Sequence, residues 1–69
     1  MSKKVDFALC CLEAYKVHTK QNGRQVFSLF EQYGVFAYLE KHYSVLHTLG
    51  EQYLMEDIDA FLAKRKNSA

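Results

Sequence analysis

An all-α fold, a compact bundle of about four short helices, is predicted by three features of this chain. Apolar residues recur at helical spacing through most of its 69 positions. Proline is absent, so nothing of that kind interrupts a helix. Three glycines, Gly23, Gly34 and Gly50, each follow a helix-like run. Glycine just past a helix end adopts the left-handed conformation without a Cβ clash, so each is expected to be a terminator. One domain over residues 1–69 is expected, with a tail that frays from about residue 66.

The first helix is expected from about Lys3 to Lys20, capped by Ser2, with Val5, Ala8, Leu9, Leu12 and Tyr15 on its apolar stripe. Within it, residues 7–12 are apolar without a break. Six residues turn through roughly 500–600° on a helix, so this apolar surface goes right round and calls for a second neighbour. Asn22-Gly23 is expected to close that helix. The second helix runs from about Arg24 to Tyr33, burying Val26, Phe27, Leu29, Phe30 and Tyr33. After Gly34 a third runs over Val35 to Leu49, with a kink or break near His42 to Ser44. Its stripe is Val35, Phe36, Leu39, Tyr43, Leu46 and Leu49. The last helix presents Leu54, Met55, Ile58, Phe61 and Leu62 on one face. Glu56, Asp57 and Asp59 near its start and Lys64, Arg65 and Lys66 near its end complement the helix dipole.

Five Phe and five Tyr are a large aromatic load for a chain whose core must be small. Part of that surface is expected at an interface. The net charge of +1 lacks the dense basic face of a dedicated nucleic-acid binder. Neither a membrane-spanning apolar run nor a signal-peptide pattern is present, and Cys10 and Cys11, adjacent on a helix, are poorly placed to bridge each other. A reducing cytoplasm is the expected setting.

The residues that carry chemistry fall short of a catalytic constellation. Glu40, Ser44 and His47 share a helix face, but a triad needs the histidine between serine and acid, and here serine is in the middle. His18, His42 and His47 lack the i, i+4 spacing of a helical metal pair, and Cys10-Cys11 lacks C-x-x-C spacing. In an apolar run cysteine behaves as a small hydrophobe. A helix-turn-helix at Gly34 would open its recognition helix with Val35 and Phe36 where base-reading side chains belong. No enzyme, metal or cofactor is therefore expected. Tyr43 and His47, one turn apart, form a polar pair inside an apolar stripe: either a satisfied core bond or a partner-contact switch. His47 is expected to be mostly buried and hydrogen-bonded, fixing how the last helix docks.

Val26, Phe27, Leu29 and Phe30, then Tyr33-Gly34-Val35, Tyr38-Leu39, Leu46-His47-Thr48 with Gly50, and Glu56-Asp57-Ile58-Asp59 form a pattern over nearly the whole chain. This pattern resembles a family of short bacterial proteins known as domain of unknown function 3791. That family brings no catalytic residues to carry over. Because its members are sometimes encoded beside toxin-like or ADP-ribosyltransferase-like genes, the resemblance implies an accessory or neutralising partner role.

The function expected from the sequence is a non-enzymatic protein-interaction module that binds itself or another bacterial protein. Its contact residues are expected among those of Phe7, Cys10, Cys11, Phe36 and Tyr38 that the core leaves out. The alternative is weak nucleic-acid binding through Lys3, Lys4, Lys16, Lys20 and Arg24.

Overall fold

The computed structural model describes residues 2–67. Five helices follow one another: α1 (Lys3–Thr19), α2 (Gly23–Gln32), α3 (Val35–Lys41), α4 (Tyr43–Leu46) and α5 (Glu51–Lys66). The fold is all-α, and the described residues contain no strand. The expected third helix is two, because the backbone turns at His42 (φ −107°, ψ 22°) and leaves α4 a single turn. At the C-terminus α5 continues through Lys66, and Asn67 donates its N–H to Ala63 O. The rest of the expected frayed tail lies outside the described residues.

Of the three glycines, only Gly34 is left-handed, at φ +72°. Gly23 opens α2 instead of closing α1. Its predecessor Asn22 accepts from Gln25 N at 2.8 Å, and the Gln25 side chain accepts from Asn22 N at 3.2 Å. This reciprocal capping box starts a helix, so Asn22-Gly23 is a start signal. The left-handed residue ending α1 is Lys20 (φ 59°), whose N–H, like that of Gln21, returns to Lys16 O. Gly50 is extended (φ −65°, ψ 156°) and precedes α5. Ser2 caps α1 as expected, accepting from Val5 N at 3.1 Å.

The core is built from every helix: Cys11, Leu12 and Tyr15 of α1; Val26 and Phe30 of α2; Val35 and Leu39 of α3; Leu46 of α4; and Leu54, Met55, Ile58 and Leu62 of α5. Fully buried Phe30 lies at its centre, with Tyr15 and Phe36 rings 5.4 and 5.5 Å away. The phase of α1 differs from expectation. Leu12 and Tyr15 are buried, but Val5 and Leu9 are 46% and 48% exposed, and Cys11 takes the inner position. Because residues 7–12 are apolar all round, their own pattern sets no phase; the neighbouring helices choose the face around Cys11.

Candidate binding surface

Two regions hold side chains in arrangements that go beyond filling the core. The first is the polar seam that fixes α5. Tyr15 donates its hydroxyl to Asp59 Oδ1 at 2.6 Å, and His18 Nε2 lies 2.7 Å from Asp59 Oδ2. One α5 carboxylate thus ties together two residues a turn apart on α1. Burial works to raise the Asp59 pKa, but the bonds from Tyr15 and His18, with the charges of His18 and Lys66, hold it below the usual carboxylate range. Burial, followed by the bond to Asp59 and its charge, pushes the Tyr15 phenol up. On the other flank Tyr38 of α3 donates to Asp57 Oδ2 at 2.6 Å and stacks on Phe61, centroids 4.2 Å apart. Burial, with the Asp57 bond and charge, pushes Tyr38 up to about 12.

Asp57 and Asp59, expected to serve the helix dipole, are hydrogen-bond acceptors for two neighbouring helices. A sequence signal for this existed. Both lie beyond the first turn of α5, where Asp is a poor helix former and its charge gains little from the dipole. Sequence spacing does not group Tyr15 and His18 with Asp59, because they lie 44 and 41 residues from it.

The second region is an apolar cleft of about 430 Å³ between α1, α2 and α3. Val5, Ala8 and Leu9 of α1, Phe27 of α2 and Phe36 of α3 form its walls, and Lys4 and Glu40 are its charged lining residues. Val5, Leu9 and Phe27 are about half exposed, Phe27 at 50%. Phe27 and Phe36 rings pack 5.3 Å apart, which fixes one wall. Ala8, the smallest of the lining apolar side chains, leaves the hollow between Val5 and Leu9 and the aromatic wall.

The residues expected at a partner surface divide between core, seam and cleft. Phe36 lines the cleft, and Cys10 is exposed on the outer side of α1. Phe7 is partly buried edge-on against Tyr43, 5.4 Å between centroids. Tyr38 belongs to the α5 seam. Cys11 is 1% exposed and cannot be a contact residue: its thiol faces the core, where burial pushes it up to about 12.

Tyr43 and His47 are adjacent as expected, their rings stacked 4.5 Å apart and nearly parallel. The expectation that His47 is mostly buried fails, because it lies on the surface. Its Nδ1 is 2.7 Å from Tyr43 O, so its partner belongs to its own α4 turn. α4 is a single turn; it leaves Tyr43 half-buried against Phe7 of α1 and His47 exposed, and among the described residues neither side chain hydrogen-bonds to α5. Ser44 and Glu40 are likewise exposed.

Among the described residues, no helix is long and apolar enough to cross a membrane. Neither a curated protein nor a solved structure matches the chain. Residues 6–65, which include the capping box, both tyrosine–aspartate bonds and most of the cleft, match the family model described as protein of unknown function (DUF3791), and the chain belongs to that family.

Proposed function

We propose that this protein is a non-enzymatic interaction module whose cleft between α1, α2 and α3 receives apolar side chains of a protein partner. The carrying observation is that Val5, Leu9 and Phe27, three large apolar side chains from two helices, stand half exposed around one hollow. Contiguous exposed apolar surface of this kind marks contact sites, whereas isolated exposed apolar residues do not. Weak nucleic-acid binding gains no comparable support. Lys3 and Lys4 begin α1 and Lys16 and Lys20 end it, separated by about 18–26 Å at 1.5 Å per residue, and Lys16 is paired with Glu13 at 3.1 Å.

A photo-crosslinking phenylalanine analogue placed at Phe27, and separately at Val17, tests this in cells of the source organism. Val17 is 80% exposed but lies outside the cleft. Protein adducts from position 27 that are absent from position 17 support the reading. No protein adduct from position 27 overturns it, and nuclease-sensitive adducts there favour the nucleic-acid alternative.

A further inference from the structure

We infer that the occupant of this cleft is a second copy of the same chain, paired through a two-fold axis that sets the α1 helices against each other; this rests on the protein-docking reading above. In a two-fold pair one surface must serve as both knob and hole, because each copy presents the same patch to the other. This cleft has both. Val5 and Leu9, four residues apart, form a ridge standing about half out of the surface. The hollow over Ala8, backed by Phe27 and Phe36, lies beside that ridge. Ridges at i, i+4 spacing seat into such grooves when two helices cross.

The charges satisfy the same requirement. The cleft carries one exposed cation, Lys4, and one exposed anion, Glu40. A partner recognised by charge would call for a surplus of one sign on this surface. One charge of each sign is complementary to itself: Lys4 of either copy meets Glu40 of the other, twice per pair. A stable pair buries roughly 800 Å² per partner, about a sixth of this chain's 4902 Å². The cleft is smaller than that, so the pair must also bury its flanks on α1 and α2, and a weak, reversible association is expected.

Light scattering on the purified chain, over about 1–500 µM to bracket a micromolar Kd, tests the inference. The wild-type mass is expected to rise from one copy to two and stop there, because a two-fold interface closes. Leu9→Lys and Phe27→Glu, both at half-exposed positions, are expected to hold the monomer throughout with unchanged circular dichroism. Val17→Lys is expected to dimerise as wild type does. Lys4→Glu and Glu40→Lys should each weaken association about tenfold by juxtaposing like charges, and the double reversal should restore it. One copy at every concentration overturns the second-copy inference, as does a dimer indifferent to Leu9→Lys, or a double reversal as weak as its singles. A strict monomer whose position 27 still cross-links to another protein would leave the docking reading standing and remove only this occupant.

Discussion

The α5 seam and the α1–α2–α3 cleft are both surfaces between helices, yet they are finished differently. In the seam polar bonds flank the apolar contact on both sides: Asp59 to Tyr15 and His18, Asp57 to Tyr38. In the cleft, large apolar side chains meet no polar partner and stay half exposed. A bond from a tyrosine hydroxyl to a carboxylate is charge-assisted and directional, and it holds one register. Apolar contact is non-directional and proportional to area, so it accommodates whatever shape arrives. The seam is built to keep its own helix, and the cleft is left for something else.

The strongest way to break this contrast lies within α2, where Phe30 serves the core and Phe27 the cleft. Phe30→Ala removes a fully buried ring and is expected to cost about 3–5 kcal/mol. For a domain of this size that is most or all of the stability, so urea denaturation should find the variant largely unfolded. Phe27→Ala, three residues earlier, is expected to cost under about 1 kcal/mol at concentrations where the chain is monomeric. Equal costs would mean that the cleft wall is core.

Next in size is Asp59→Asn, expected to cost about 1–3 kcal/mol at pH 7, because hydrogen bonds to a charged group are at stake, with the figure kept modest by partial exposure. The folded pKa of Asp59 lies below its unfolded value, so its contribution is fully present above the unfolded pKa of about 3.9 and fades as pH falls through the folded one. Thermal melts should therefore show wild type and variant converging below about pH 4. A gap unchanged in acid would detach the seam from the Asp59 charge.

On the opposite flank, Asp57→Asn removes one bond from α3 where Asp59→Asn affects two from α1, so its cost should be smaller, about 0.5–1.5 kcal/mol. Tyr38 moves the other way with pH. Its folded pKa is raised to about 12, so its contribution is intact below the unfolded value near 10 and is lost as pH rises above that toward 12. Tyr38→Phe should accordingly flatten the alkaline loss of stability seen by melting between about pH 10 and 12.

Much of this design is legible in the sequence itself. Helix existence, the Ser2 cap, the break near His42 and the buried face of α5 all follow from local pattern, because each rests on contacts within a few residues. Three things were not local. The phase of α1 depends on which side α2, α3 and α5 occupy, since Phe7 to Leu12 is apolar on every side. The end of α1 near Lys20 is expected, but not its terminator: Lys20 itself takes the left-handed backbone, which is costly for a residue with a Cβ, and Asn22-Gly23 starts the next helix. The seam joins residues more than forty positions apart, and no helical periodicity reports such a bond. The cleft is half visible in the sequence: surplus aromatics imply an interface that includes Phe36, but helical spacing places Val5, Leu9 and Phe27 in the core.

The smallest expected effect sharpens the contrast from outside both regions. Tyr43 and His47 have the chemistry of the seam, a phenol and an imidazole one turn apart, but Tyr43 meets another helix only through the Phe7 ring, and His47 bonds and stacks within its own turn. A side chain that ties a helix to itself on the surface changes stability little, because water replaces the lost bond at once. His47→Ala should shift the denaturation midpoint by no more than about 0.5 kcal/mol in stability, against the larger loss from Asp59→Asn. It should also leave association through the cleft unchanged. A loss comparable to that of Asp59→Asn would show that α4 carries a docking contact for α5 after all. The near-silence expected here follows from position alone: the same residue types hold the fold only where their partner belongs to another helix.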